Sequence, residues 1–313
     1  MTFARGSVKK MPRNNRFRAA LLLIAIASFL IPAASYAQGG IRQFQRQVMI
    51  GGRIPAAILI IGFEKDAGAI EKLMDIVSQK ANETFGRLDG NNPGSEVARI
   101  NAAAGQSAVQ ASEDVVEAFK TAQQLSKWTD GAFDVIYGGS GHYKDVSIGG
   151  NSVQLKNAGM QARFDDMIDG FLAELMIRYI FASSMQNAMV KVGNTFRGIG
   201  QNVMGPWKIQ VQDDEGTYAH HALNLSVSNT GIATVSANQY RSQQLIDPRS
   251  NSAVAQPCRG VTLVMNDAAL AQGVAHAVFL LGPDEGLKLL AKLGKAKALI
   301  VDNNGKFIRS PGF

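Results

Sequence analysis

Apolar and polar residues alternate on either side of a short glycine-rich turn near residue 50. The apolar residues lie two positions apart before and after Gly51-Gly52-Arg53: Val48, Ile50, Ile58 and Ile60. An apolar side chain at every second position is typical of strands with one buried face. Residues 41–62 are therefore predicted to form a β-hairpin.

Two later segments show helical spacing. In the first, apolar residues recur at intervals of three and four: Ile70, Leu73, Met74, Val77 and Ala81. The second begins at Ser112, which is predicted to be an N-cap followed by acidic residues, and its apolar positions are Val115, Phe119, Ala122 and Leu125. Such stripes predict two amphipathic helices that bury one face each.

The rest of the chain combines short strands with one further helix before residue 200. Residues 138–157 are rich in Gly and Ser and lack periodicity, which predicts short strands and loops and could mark a boundary between domains. A helix is predicted at residues 167–185. Strands are predicted at residues 188–192, 207–211, 222–227 and 261–265, and a hairpin at residues 298–308. This order predicts an α+β fold with a largely antiparallel sheet.

The N-terminal segment has the composition of an export signal. Six basic residues precede an apolar run at residues 19–34, and Ser35-Tyr36-Ala37 offers the small residues that a signal peptidase recognises. We predict a signal peptide at residues 1–37, a domain at residues 38–313 and a periplasmic or secreted location. The alternative is an uncleaved membrane anchor, because the run approaches the ~17–25 residues that span a bilayer.

Charge and histidine spacing exclude several other classes of protein. The net charge of +7 includes the six basic residues of residues 1–37, which hold no acidic residue, so the remaining chain carries only +1. Nucleic-acid binding therefore has no electrostatic basis. Cys258 is alone and is predicted to be a core residue. The histidines, which are His142, His220, His221 and His276, lack zinc-site spacing, and the adjacent pair is predicted to be solvated.

Several short motifs occur in one order along the chain. They are Ser95-Glu96 with Asn101, Gly131-Ala132-Phe133-Asp134, Ile246-Asp247-Pro248-Arg249 and Ser310-Pro311-Gly312-Phe313. In this order they resemble the motifs of the FAD:protein FMN transferases, the ApbE family, over about residues 41–313. The resemblance implies a two-lobed α+β fold with flanking helices and with flavin in the cleft. It also implies transfer of FMN from FAD to a Ser or Thr of an acceptor protein, assisted by Mg²⁺.

The helix that binds the metal in the family has different residues here. Within Ala271-Gln272-Gly273-Val274-Ala275-His276-Ala277, the resemblance places Gln272 at the metal-binding Asp and His276 at the metal-binding Thr. The backbone carbonyl of Ile168 matches a third ligand. Mg²⁺ prefers carboxylate oxygens, whereas Gln offers a neutral carbonyl and His a nitrogen. The two side chains share a helix face and could form another metal site, or could line a cleft without one.

Two positions that the resemblance marks as catalytic are also substituted. Asp169 stands where the family has Lys, and Gln244 stands where it has a His facing the flavin. Asp165, Asp166 and Asp169 could gather a cation of their own, or could only complement a helix dipole.

The remaining matches are predicted flavin contacts. They are Ser95, Glu96, Asp134, Gly170, Gly193, Thr234 and Asp247. Thr234 falls in Thr234-Val235-Ser236, which is matched to a loop of the family. Asp247-Pro248 forms a turn whether or not flavin binds.

Two functions remain open from the sequence. The first is a working FAD:protein FMN transferase or FAD pyrophosphatase, with a metal site rebuilt from Asp165, Asp166 or Asp169 with help from Gln272 and His276. The second is a catalytically silent relative that binds flavin or a protein partner in the same cleft. The substitutions favour the second, because losing one transition-state stabiliser can cost about 10²- to 10³-fold in rate.

Overall fold

An antiparallel sheet of eight strands forms the centre of the part of the chain that the structure describes. The structure is a computed structural model and describes residues 40–137, 141–211, 223–240 and 244–313. Across the sheet the strands follow the order β1 (Ile41–Ile50), β2 (Ile54–Phe63), β8 (Ala188–Val192), β9 (Thr195–Ile199), β12 (Thr230–Ser236), β15 (Gly260–Met265), β16 (Lys297–Val301) and β17 (Phe307–Arg309).

Smaller antiparallel sheets surround this central sheet. One has three strands in the order β3 (Val109–Gln110), β6 (Ser152–Leu155) and β5 (Val146–Gly149). The others are pairs: β4 (Ile136–Tyr137) with β7 (Gln161–Ala162), β10 (Trp207–Val211) with β11 (Leu223–Val227), and β13 (Ile246–Asp247) with β14 (Ser252–Ala253).

The helices pack on the central sheet and on one another. They are α1 (Ala67–Leu88), α2 (Glu96–Ala102), α3 (Glu113–Trp128), α4 (Ile168–Ala182) and α5 (Ala268–Leu293). Helix α5 lies against β12 and β15, α4 lies against β8 and β9, and the two helices contact each other. The α+β fold with largely antiparallel sheets and flanking helices is thus confirmed.

Local sequence patterns predicted the first elements correctly. The hairpin turns at Gly51 and Gly52, whose φ angles are 58° and 68°. A Cβ on Gly51 would lie 2.1 Å from the Phe85 ring, so glycine is needed there for conformation and for space. The stripe on α1 is buried at Ile70, Met74, Val77 and Ala81, while the predicted fifth member, Leu73, is partly buried.

Two predictions about the region around residues 112–157 need correction. Ser112 occupies the N-cap position of α3 as predicted, but its hydroxyl lies within hydrogen-bond distance of the Glu96 and Asp114 carboxylates and makes no cap bond. Residues 141–157 contain the short strands that were predicted. Residues 40–313 belong to one compact unit, so residues 138–157 do not separate two domains.

The later elements agree with their predictions to within a few residues. Helix α4 begins one residue later and ends three residues earlier than the helix predicted at residues 167–185. Strand β8 has its predicted bounds, and β15 to β17 match theirs to within one residue. The predicted signal peptide at residues 1–37 and the pair His220-His221 lie outside the described residues.

Helix α5 is interrupted near its middle. Gly282 has φ 75° and ψ −177°, and Pro283 follows it, so the backbone kinks there. The first segment, from Ala268 to the kink, is almost entirely buried. Cys258 is buried and close to the Phe279 carbonyl, and burial raises the pKa of its thiol to about 12. Among the described residues no helix is both long and apolar enough to cross a bilayer.

Candidate functional site

The N-termini of helices α4 and α5 meet at the buried side of the central sheet. Gly170 lies in the first turn of α4, and Ala268 is the first residue of α5. A Cβ on Gly170 would stand 2.3 Å from the Ala268 carbonyl oxygen. Only glycine permits this approach, so Gly170 fixes the distance between the two helix ends.

Each helix supplies a side chain to the N-terminus of the other. The Gly170 N–H donates to Oε1 of Gln272 at 2.6 Å, and the Ala268 N–H donates to Oε2 of Glu174 at 3.0 Å. Gln272 lies four residues after Ala268, and Glu174 lies four residues after Gly170. The first N–H groups of a helix have no partner inside it. Reciprocal hydrogen bonding therefore caps both ends, and we call these four residues the α4–α5 junction.

Glu174 is also held by an arginine. Arg197 donates from Nε to Oε2 of Glu174 at 2.7 Å, and its guanidinium donates to the Gly198 carbonyl. The two charged side chains are only 12% and 14% exposed. The carboxylate at the junction is thus neutralised within the protein. Sequence reasoning missed both residues, because neither belongs to a local pattern.

One turn after Gln272, His276 belongs to a buried polar network. Its Nδ1 lies 2.6 Å from the Tyr240 hydroxyl and 3.6 Å from an Asp166 oxygen. Tyr137 donates to the other Asp166 oxygen at 2.9 Å. We call these four residues the tyrosine network. Burial lowers the pKa of His276, with Asp166 opposing, so the imidazole is neutral.

Both tyrosines of this network keep their protons. Burial raises the pKa of Tyr137 and of Tyr240, and the Asp166 carboxylate raises both further. The Tyr240 ring stacks on Phe279 of α5 with centroids 5.4 Å apart. No sequence pattern indicates Tyr137 or Tyr240, which lie 103 positions apart in the chain.

Three buried polar atoms near this network have no hydrogen-bond partner among the described residues. They are Nε2 of His276, Oγ of Ser236 and Oδ1 of Asn238. Ser236 ends β12, and Asn238 lies in the 3-10 turn Ala237–Tyr240 that brings Tyr240 to His276. Buried polar groups are normally hydrogen-bonded, so these atoms are available to polar groups of a ligand.

Asp169 is fixed beside the turn between β8 and β9. A Cβ on Gly193, whose φ is 51°, would lie 2.0 Å from an Asp169 carboxyl oxygen. The Asn194 backbone N–H donates to this carboxyl group. Burial raises the pKa of Asp169 to about 7, although Asn194 and Arg53 oppose the shift. Gly193 and Asp169, predicted separately, are thus in direct contact.

The three aspartates predicted as a cation site are dispersed. Asp165 pairs with Arg163 at 3.2 Å, Asp166 accepts from Tyr137, and Asp169 bonds to Asn194. No group of three or more His, Cys, Asp or Glu side chains in the described part of the chain could hold a metal ion. The prediction of a rebuilt carboxylate site is therefore wrong. Each carboxylate is already bound by its own protein donor.

The residues predicted to bind a metal do not fit Mg²⁺. Gln272 and His276 share one face of α5, as predicted, but each is bonded to a protein group. Ile168 is the first residue of α4 and is buried. Mg²⁺ requires several well-placed oxygen ligands, usually including a carboxylate. A neutral amide oxygen bound to an N–H group and an imidazole do not supply them.

The motif residues Ser95 and Glu96 stabilise helix ends. Ser95 is the N-cap of α2, and its side chain accepts from the Ala98 N–H at 2.9 Å. Glu96 accepts from the backbone N–H and the hydroxyl of Ser112. These bonds connect α2 to the start of α3. They give both residues a structural role whether or not flavin binds.

Asp134 connects the backbone at Ile136 to the backbone at Tyr143. Its carboxylate oxygens accept from the Ile136 N–H at 3.0 Å and from the Tyr143 N–H at 2.9 Å. Burial raises the pKa of Asp134 to about 6, with these two bonds opposing the shift. One carboxylate thereby holds Tyr143 and Ile136, the chain neighbour of Tyr137 in the tyrosine network.

The last three predicted residues lie in different surroundings. Thr234 is in strand β12, so the match to a loop was wrong, and its hydroxyl contacts Thr262 on the neighbouring strand at 3.2 Å. Asp247 pairs with Arg249, which lowers the pKa of Asp247. Gln244 is exposed.

The comparison with known proteins agrees with the fold and with the motif order. The family model for the ApbE family matches residues 60–143 and 140–300. An FAD:protein FMN transferase of Treponema pallidum is 25% identical over 173 residues, which are 50% of this chain and 48% of that protein. One from Haemophilus influenzae is 26% identical over 149 residues, which are 44% and 43% of the two chains. The chain thus spans less than half of the length of these curated relatives.

Solved structures extend the likeness over most of the chain. The apo form of the flavinyl transferase ApbE of Pseudomonas stutzeri has a TM-score of 0.75 at 21% identity, covering 87% of this chain and 95% of that chain. An ApbE protein of Thermotoga maritima has a TM-score of 0.73 at 19% identity, covering 86% and 97%. At these identities the likeness shows the fold.

Proposed function

The chain belongs to the ApbE family, and on that basis we propose that it binds FAD beside the α4–α5 junction and transfers the FMN half to a Ser or Thr hydroxyl of an acceptor protein. Its relatives that are FAD:protein FMN transferases support the choice of substrate. In the proposed reaction the acceptor oxygen bonds to the phosphorus of the FMN half. The phosphoanhydride P–O bond breaks, AMP leaves, and the hydroxyl proton passes to solvent.

One structural observation carries the flavin part of this proposal. His276, one turn after Gln272 of the junction, has a buried polar atom that no described residue satisfies, and so do Ser236 and Asn238 in the segment that leads to Tyr240. A neutral His276 can donate or accept at Nε2, the Ser236 hydroxyl can do both, and the Asn238 amide oxygen accepts. A flavin ring carries alternating N–H and carbonyl groups, so it offers the complementary set. This is the chemistry of a ligand site with a few placed polar groups.

A second function is favoured by the substitutions in the same site. Asp169 replaces a cation with a carboxyl group, and Gln272 is engaged by the Gly170 N–H. Neither residue can cancel the negative charge that develops on the phosphoryl group. We therefore keep, as the alternative, a family member that binds flavin nucleotide without transferring FMN.

The location is part of the proposal. From the predicted signal peptide at residues 1–37 we propose that the protein and its acceptor are in the periplasm or outside the cell. The intact mass of protein recovered from the extracellular or periplasmic fraction tests this. A mass corresponding to residues 38–313 supports export with cleavage, whereas a full-length, membrane-bound chain supports the anchor.

Titration with FAD separates the two functions. Flavin fluorescence measures binding, and chromatography of the products measures AMP release, each in the presence of a Ser/Thr-containing acceptor peptide. Binding with AMP release and a flavin-labelled peptide supports transfer. Binding without AMP supports the alternative, and absent binding contradicts both. As a matched pair, His276→Leu should weaken binding about tenfold, whereas the exposed substitution Gln79→Leu on α1 should not change it.

A further inference from the structure

The reciprocal bonds at the α4–α5 junction have a consequence for cation dependence. Gln272 binds the start of α4, and Glu174 binds the start of α5. We propose that these bonds replace a divalent cation as the link between the two helix ends, so that the junction forms, and flavin nucleotide binds beside it, without any divalent cation. Only the flavin part of this inference rests on the proposed function.

The oxygen atoms at the junction are used by hydrogen-bond donors. Oε1 of Gln272, which is 5% exposed, lies 2.6 Å from the Gly170 nitrogen. A cation at this oxygen would have to compete with a short bond, and moving the side chain would leave a buried N–H group unpaired. A buried donor without an acceptor lowers the stability of the folded protein, whereas a hydrogen-bonded donor does not.

The carboxylates near the junction are neutralised or bonded as well. Glu174 accepts from Arg197 and from the Ala268 N–H, and Asp166 accepts from Tyr137. Asp169 accepts a hydrogen bond from the Asn194 N–H. Mg²⁺ gives up its water shell reluctantly and needs negatively charged oxygens in return. The junction offers it no free carboxylate.

The nitrogen that remains does not favour Mg²⁺ either. Nδ1 of His276 is occupied by Tyr240, and Nε2 is a nitrogen atom, whereas Mg²⁺ prefers oxygen ligands. A softer cation such as Zn²⁺ prefers imidazole but needs further His or Cys ligands. The described residues contain no group of three candidate ligands. The junction is therefore held by hydrogen bonds and does not offer the set of ligands that a divalent cation needs.

The test compares the thermal unfolding of the full chain in 5 mM MgCl₂, 5 mM MnCl₂ and 5 mM EDTA, with FAD titrations under each condition. We expect midpoints that agree to about 1 °C, since a cation that binds only the folded state would raise the midpoint. We also expect FAD dissociation constants that agree to about twofold, since a cation that assists FAD binding would lower them. A saturable rise of the midpoint with either cation would overturn the inference. FAD binding that requires a cation would overturn it as well.

Two substitutions at one position sharpen the test. Gln272→Glu keeps an acceptor for the Gly170 N–H but adds a buried charge, so its midpoint should fall in EDTA and recover with Mn²⁺. Gln272→Leu removes the acceptor, so its midpoint should fall by about 3–10 °C and show no recovery. Recovery of the Leu variant, or no loss in the Glu variant, would contradict the proposed role of Gln272.

A matched control lies on another helix. The amide of Gln123 on α3 also bonds to backbone, donating to the Tyr143 and Val146 carbonyls. Gln123→Glu should lower the midpoint by loss of these bonds, without recovery in Mn²⁺. If FAD fails to bind under any condition, the proposed function fails, and the midpoints of the wild-type protein still decide the inference. If the variants do not fold, titration calorimetry of the wild-type chain with MnCl₂ decides it.

Discussion

Tyr240 and His276 join the turn after β12 to the middle of α5 through a hydroxyl–imidazole contact of 2.6 Å. The contact lies in the polar network that also contains Asp166 and Tyr137, and the Tyr240 ring stacks on Phe279. The bond and the stacking therefore act on the same side chain but can be separated by substitution.

Tyr240→Phe should remove the bond and keep the stacking. Nδ1 of His276 then loses its nearest partner, and the free energy of unfolding should fall by about 1–2 kcal/mol. Urea unfolding monitored by circular dichroism measures this. The control is Tyr179→Phe on α4, which is 40% exposed and should change stability by less than about 0.5 kcal/mol. Equal losses in both variants would show that the hydroxyl of Tyr240 has no special role.

Glu174→Ala should be strongly destabilising. It leaves the buried Arg197 guanidinium without its carboxylate and the Ala268 N–H without its acceptor, at a cost of about 3–5 kcal/mol. Glu117→Ala is the matched control, because Glu117 pairs with Arg178 in an exposed ion pair and should cost about 1 kcal/mol or less. Chemical unfolding of both variants gives the comparison. A loss near the control value would mean that the junction does not depend on Glu174.

Asp169→Asn should change how stability depends on pH. The pKa of Asp169 is raised from 3.8 to about 7 in the folded protein. The folded state therefore binds the proton more tightly, and the resulting stability is present below pH 4 and is lost as the pH rises towards 7. Asn cannot ionise and still offers a carbonyl to Asn194. The variant should match the wild-type midpoint near pH 4 and exceed it at pH 8, as measured by thermal scans across this range. A constant difference between the two curves would contradict the raised pKa.

Gly193→Ala should destabilise the fold through Asp169. The added methyl group would overlap the Asp169 carboxyl group, and φ of 51° adds strain. Gly52→Ala is the control, since its φ is 68° but no atom lies within 4 Å of the added carbon. We expect Gly193→Ala to cost about 1–3 kcal/mol more than the control.

A double-mutant cycle isolates this contact. In an Asp169→Ala background the overlap is removed, so Gly193→Ala should cost only about as much as Gly52→Ala. The coupling free energy between the two sites should be about 1–3 kcal/mol, in the range expected of residues in contact. Additive effects of the two substitutions would show that the carboxyl group does not lie against Gly193.

The fold could be predicted where a local pattern determines the structure. The hairpin of β1 and β2, the buried stripe of α1 and the start of α4 each depend on residues within one segment. Family motifs added the order of the segments and hence the fold class. Thr234 shows the limit, because a Thr-Val-Ser sequence is as compatible with a strand as with a loop, and only pairing with Thr262 decides.

The candidate site was predicted only in part. The resemblance assigned Gly170 to flavin binding and Gln272 and His276 to a metal site, but it could not indicate what these residues contact. Oε1 of Gln272 bonds to a residue 102 positions away, and no periodicity encodes such a pair. Glu174, Arg197 and Tyr240 belong to the site through long-range packing alone. Ser95 is of a residue type that favours N-caps, but the match to the family motif led to its prediction as a flavin contact.

The order in which the chain contributes to the junction has a consequence for folding. Gly170 and Glu174 come from the middle of the sequence, while Ala268 and Gln272 lie within the last 50 residues. Contacts between distant segments form slowly, because a long loop must close first. A chain truncated before α5 would leave the Gly170 N–H at the start of α4 without its acceptor, and Glu174 would keep Arg197 but lose the Ala268 N–H. Ligand binding at the α4–α5 junction would therefore require that α5 has packed against α4, and it would indicate that folding is complete.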